Sequence, residues 1–300
     1  MLFIFVVEYG EPSDIDKITG ETSADKFLNV YPMFQDVHVM VYIGFGFLMV
    51  FLKTHCWTSV GFTFLIAAWA FQLGILTTHF WTIVFNNKWI PVTFNVETLI
   101  HGDFCAATCI ITLGAVLGKA DLFQCWALVT LECIFYGLNE AICKSVLEVN
   151  DLGGSIIIHT WGCYFGIMCA SFFNPTRAII DKEKRMVGGY TSQLIACIGT
   201  LFLYLYWPSF NAALAPPTSR ERVVYNTALA MAGSTIAACA TSRMIHFAMS
   251  MEIVLNATLA GGVAMASCTS MIVQPGMALL IGSSTGIVSA LCFAYLGKFL

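Results

Sequence analysis

Seven stretches of the chain contain no Asp, Glu, Lys or Arg: 37–52, 54–87, 104–118, 152–176, 186–219, 223–242 and 253–297. A helix rising 1.5 Å per residue needs ~20 apolar residues to cross the hydrocarbon of a bilayer. Five of the seven stretches are at least that long, and the charges sit between them as punctuation. This pattern predicts an all-α polytopic membrane protein. The alternation of apolar and polar residues that a membrane β-barrel needs is missing. Composition agrees, with 58% hydrophobic and 11% charged residues against roughly 25% charged in soluble domains. So few charges could not cover a soluble surface, which excludes a soluble enzyme and a disordered tail. A net charge of −4 without a basic stripe excludes a nucleic-acid partner. The partner that remains is the lipid bilayer.

Nine spans are predicted, at about 37–52, 58–80, 100–118, 122–143, 152–172, 190–210, 223–242, 253–273 and 277–297. The last long run is divided at Gln274-Pro275-Gly276, a turn-forming tripeptide. Loop charge gives the orientation. With the start of the first span outside, the basic cluster at 177–185 falls on the cytoplasmic side and the acidic stretch 8–36 falls outside. The opening MLFIFVV is too short to span and reads as the stub of a helix; the other end stops at Lys298-Phe299-Leu300, directly after a span. Both ends therefore read as cut.

Ionisable groups within spans are costly, so each invites a functional reading. His159 lies eight residues past Asp151, ~12 Å along a helix. It either lines a pore or bonds a neighbouring helix as a structural histidine, and the residues favour neither. Asp151 opens the fifth span, where its carboxylate can cap free backbone amides; Gly153-Gly154 allow a close or strained approach. Glu140 lies near the outer end of the fourth span, where it either attracts cations or stays solvated. The twelve cysteines form no C-x-x-C pair and read as small buried apolar residues, neither disulfides nor metal ligands. Gly114/Gly118, Gly162/Gly166 and Gly282/Gly286 repeat at the spacing that lets helices approach closely in lipid. No cofactor motif occurs, and no metal cluster or nucleophile–base set points to an enzyme.

Several blocks resemble the Rh glycoprotein branch of the ammonium transporter superfamily. They are Tyr31-Pro-Met-Phe-Gln-Asp-Val-His-Val-Met40, Asp103-Phe-Cys105, Gly114-Ala-Val-Leu-Gly-Lys119, Gly153-Gly-Ser155 with Ile158-His-Thr160, Tyr206-Trp-Pro-Ser-Phe-Asn211 and Asn256-Ala-Thr-Leu-Ala-Gly-Gly-Val-Ala264. They follow the family's order from about residue 31 to 297. The resemblance implies an eleven-to-twelve-helix fold built from inverted five-helix repeats. On that basis 1–36 would be an N-terminal stub and acidic segment, 37–176 the first repeat and 177–300 an incomplete second repeat. It implies a homotrimer, in the plasma membrane, with one pore per subunit passing ammonium or ammonia. It implies that Phe104 and Phe210 form an outer gate and that His159 lines the pore. Glu140, Asp151 and Asn211 match vestibule or structural positions. The family's second pore histidine belongs to a tenth helix, and no histidine follows His246 here. That leaves a non-conducting subunit of an Rh-type complex open as an alternative, and the resemblance to Rh proteins leaves a carbon dioxide channel open as another.

Overall fold

The structure is a computed structural model that describes residues 7–9, 23–52, 56–87, 89, 92–173, 189–246 and 249–296. The apolar residues 1–6, the basic cluster 177–185 and the final residues 297–300 lie outside the described residues. Eight described helices are long and apolar enough to cross a bilayer. They are α1 (Phe27–Phe51), α2 (Cys56–Asn86), α3 (Val96–Val116), α4 (Leu122–Val146), α5 (Ser155–Phe172), α6 (Tyr190–Ala212), α7 (Pro217–Ile245) and, after two short helices α8 (Met251–Ala257) and α9 (Ala260–Met265), α10 (Pro275–Tyr295). Large apolar side chains point outward from the bundle, among them Trp57, Phe172, Leu205 and Ile236. Such a surface suits lipid, and the chain is a multi-pass integral membrane protein.

The helix ends follow the sequence. Asn95 caps α3 by accepting from the Thr98 backbone N–H at 2.9 Å, and Asp121 does the same for α4 through Gln124 at 2.8 Å. After α3 the chain turns at Gly118, whose φ of +76° suits a residue without a Cβ. Gly118 therefore ends a helix rather than packing one, unlike the closely packed Gly162 and Gly166 on α5.

Two boundaries differ from the expectation. Helix already runs from Ser23, and the first membrane-length stretch starts at Phe27 rather than at 37. The charge at Asp36 does not stop it, because Ser209 on α6 donates a hydrogen bond to Asp36 Oδ2 at 2.6 Å. Of the apolar opening, Val7 is strand and not helix: Val7–Tyr9 (β1) pairs in parallel with Val92–Phe94 (β2).

The expected eighth span, 253–273, is not one helix. It is broken between α8 and α9 and continues as turns to residue 273. The reason lies in its neighbours. Ser234 on α7 donates to the Ala257 carbonyl at 2.6 Å and accepts from the Gly261 amide at 3.1 Å. Asn211 donates to the Gly262 carbonyl at 3.2 Å, Ser155 to the Val263 carbonyl, and Asn226 to the Thr269 carbonyl at 3.2 Å. The Gly153 amide donates to the Ala266 carbonyl at 3.1 Å. Irregular backbone is tolerated within a membrane protein only where other protein groups satisfy it, and here α5, α6 and α7 do so.

Small residues bring α7 against α10. A Cβ on Gly286 would lie 2.6 Å from the Ser234 carbonyl, and one on Gly282 would run into the backbone of Ala230. Without a hydrophobic force between helices in lipid, such close backbone contact supplies the dispersion that holds them.

Candidate functional site: a vestibule above a buried histidine

Chain reversals bring the start of α1, the start of α3, the end of α4, the start of α5 and the end of α6 to one end of the bundle. Between them lies a cavity of about 790 Å³. Glu97, His101 and Phe104 line it from one face of α3, at spacings of four and three. Tyr136, Glu140 and Lys144 line it from one face of α4, and Asp151, Gly154, Ile157 and Ile158 from the start of α5.

Phe104 and Phe210 are buried beside this cavity, with ring centroids 4.6 Å apart and planes tilted by 40°. Helices 3 and 6 bring them together over more than a hundred residues of sequence. Next to them sits His159. Its ring stacks on Trp207 at 5.5 Å and 18°, and lies 6.1 Å from Phe210. Only 7% of His159 is exposed. Among the described residues His159 Nε2 has no hydrogen-bond partner, and neither has Trp207 Nε1 nor the Tyr136 hydroxyl. Buried polar atoms without partners are rare in proteins and each asks for an explanation.

The helix carrying His159 begins at a left-handed glycine. Gly154 takes φ +73°, and the amides of Ile158 and His159 both donate to its carbonyl, at 3.0 and 2.9 Å. The turn over Ser155–Thr160 is thereby widened into a π-helix, a geometry frequent at functional sites. Asp151 holds this start in place. Its Oδ2 accepts from the Ile156 and Ile157 amides, each at 2.8 Å. Burial pushes the Asp151 carboxyl above its usual range, while those amide bonds and Lys144 pull the other way. Asp151 is thus a helix cap, and it also lines the cavity.

Glu140 is neither solvated nor a free charge at the mouth. It is buried, paired with Lys144 Nζ, and lies 3.3 Å from His101 Nδ1. The Thr78 hydroxyl donates to its other oxygen at 3.1 Å. A carboxylate and an ammonium in contact largely cancel beyond their own pair, so its pull on a distant cation is weakened. Asn211 does not line the cavity. It is fully buried, donating to Thr227 Oγ1 at 3.1 Å as well as to Gly262, and its position requires Gly153 opposite.

Three neighbours of the site escaped sequence reasoning. Trp207 lies three residues before Phe210 and so on the same face of α6. Tyr136 and Lys144 flank Glu140 at four residues on either side. Helical spacing from the residues already chosen would have found all three.

The model of the Ammonium Transporter Family matches residues 1–300. The chain belongs to that family. It is 39% identical over 311 residues to the ammonium transporter Rh type C of Canis lupus familiaris, covering 100% of this chain and 66% of that one. It is 38% identical over 308 residues to the Rh type B transporter of Danio rerio, with the same coverage. The chain therefore spans just under two thirds of the length of these relatives, and within the family it falls in the Rh branch. Its fold is similar to Rh50 of Nitrosomonas europaea, a Rhesus-family channel, with a TM-score of 0.81 at 32% identity over 91% of this chain and 72% of that one. Mep2 of Saccharomyces cerevisiae shares the fold at a TM-score of 0.68 and 18% identity, over 89% of this chain and 68% of that one. Family members of this kind are transporters and not enzymes.

Proposed function

We propose that this chain passes ammonium, as ammonia, across a membrane through a path that starts in the vestibule and runs past the Phe104–Phe210 pair to His159. The observation that carries this reading is the imidazole itself, whose Nε2 is buried and has no partner among the described residues. A group left so costs roughly 1–3 kcal/mol unless something in transit satisfies it.

The steps follow from elementary electrostatics. An ammonium ion reaching the vestibule meets Phe104, which lines it, and a ring's quadrupole attracts a cation. Glu140 adds little to that attraction because Lys144 neutralises it. Going further as an ion would mean losing its hydration shell among apolar rings, at a cost of several kcal/mol. Giving up the proton to vestibule water removes most of that cost. Neutral ammonia then goes between the two rings and hydrogen-bonds to His159 Nε2. Trp207, stacked on the imidazole, keeps its plane fixed and water out. Phe104 and Phe210 act as the gate, Asp151 sets the pitch of the helix that carries His159, and Asn211 fixes the broken segment behind it.

His159→Ala, in the purified chain in liposomes, removes the imidazole from this path. Losing one hydrogen bond of about 1–1.5 kcal/mol in the rate-limiting passage should slow methylammonium uptake by roughly tenfold. Uptake equal to the parent protein overturns the role of His159. Acidification driven by carbon dioxide, measured by stopped flow on the same vesicles, replaces ammonia as cargo if it alone depends on the protein.

A further inference from the structure

We propose that Cys105, Cys109 and Cys133 form a binding site for a soft monovalent cation of the copper(I) class, buried between α3 and α4. Cys105 and Cys109 lie four residues apart on one face of α3 and reach Cys133 on α4; Cys133 Sγ is 3.7 Å from each of the other two sulfurs. All three sulfurs lie within 4.8 Å of one another, and all three residues are fully buried. Among the described residues this is the one grouping of three or more metal-ligating side chains close enough to share an ion.

Size fits first. A metal–sulfur bond of about 2.3 Å in a trigonal plane sets neighbouring sulfurs about 4.0 Å apart, so the two 3.7 Å separations need only a few tenths of an ångström of adjustment. Space fits next. A Cβ on Gly74 of α2 would come within 2.7 Å of Cys105 Sγ, so the third helix packed here leaves room for the sulfur.

Hardness and charge choose the ion. Thiols are soft donors that favour copper(I) and its like over magnesium or calcium. In a low-dielectric interior the net charge of the site must not change. A monovalent ion meets that condition by exchange: one thiol loses its proton to water, its sulfur binds the ion, and two neutral thiols complete the coordination. The site begins and ends neutral, and nothing is oxidised or reduced. A divalent ion would have to expel two protons at once. Glu132 stands beside Cys109 and Cys133, fully buried, with its Oε2 lacking any partner among the described residues. The Thr112 hydroxyl lies within hydrogen-bonding reach of both Glu132 Oε1 and the Gly162 carbonyl. Tyr136, one turn on from Cys133, lines the vestibule and marks the side from which an ion arrives.

The test loads the full chain in detergent with Cu(I) under argon, then washes it with excess bathocuproine disulfonate. We expect about one copper retained per chain, with sulfur as its only ligand type in X-ray absorption. Cys109→Ala and Cys133→Ala should each cut retention at least tenfold, and Cys163→Ala and Cys292→Ala, at exposed thiols, should leave it unchanged. No retained copper, oxygen or nitrogen ligands, or full retention in Cys133→Ala overturns the site. Preferential retention of Zn(II) over Cu(I) overturns its choice of a monovalent ion. The measurements on the parent protein decide the matter even if a variant fails to fold.

Discussion

Asp151→Ala should abolish methylammonium uptake and lower the stability of the chain by about 2–4 kcal/mol. Two backbone amides at the start of α5, those of Ile156 and the part-buried Ile157, depend on one carboxylate oxygen. Removing that acceptor leaves both unpaired, at about 1–3 kcal/mol each less whatever water recovers. The damage does not stay local. The widened turn that follows carries His159, and without its cap that turn should tighten or fray, rotating the imidazole away from Trp207. Asp151→Asn keeps one oxygen that can accept and should fall between the two. Thermal unfolding in detergent followed by tryptophan fluorescence, alongside vesicle uptake, checks both effects. A stable, active Asp151→Ala would mean that the helix start is held by something other than this carboxylate.

Gly282→Val should have a comparable effect on folding without touching the path. A side chain at this position meets the backbone of Ala230, which cannot give way as a flexible side chain would. Helices 7 and 10 would have to separate, losing the close contact that substitutes for a hydrophobic force in lipid. A loss of about 3 kcal/mol or more, at the upper end of overpacking costs, is expected. Gly276→Val, at a position with open space around it, should leave the chain as stable as the parent. Fluorescence-detected size exclusion of the two variants separates them. A monodisperse Gly282→Val at parental yield would refute the contact.

How far the sequence leads can be judged from particular residues. The gaps between charges point to α2, α3, α5, α6, α7 and α10, because charge within a span is costly in lipid, whereas α4 carries Glu132 and Glu140 and is no such gap. They misplace the start of α1, because Asp36 is satisfied by Ser209, a partner 173 residues away. They miss the break between α8 and α9 for the same kind of reason. Its sequence is apolar throughout, and what breaks it is the set of side chains on α5, α6 and α7. The meeting of Phe104 with Phe210 came from a family resemblance and from nothing local. Glu140 illustrates the opposite failure: an acid at a helix end reads as exposed until the lysine four residues on and the histidine on α3 are seen to enclose it. Cys133 likewise becomes more than a core cysteine only when α4 brings it to the pair on α3.

The broken segment between α8 and α10 has a consequence for what must surround it in the membrane. A continuous helix carries its own hydrogen bonds into lipid and can be released there alone. Residues 258–273 cannot, because their carbonyls depend on Ser155, Asn211, Asn226 and the Gly153 amide. These donors lie on α6, on α7 and at the start of α5, so the segment's backbone is satisfied in lipid only where those three helices surround it. The polar side chains that look least suited to lipid are the ones that let this segment stay there.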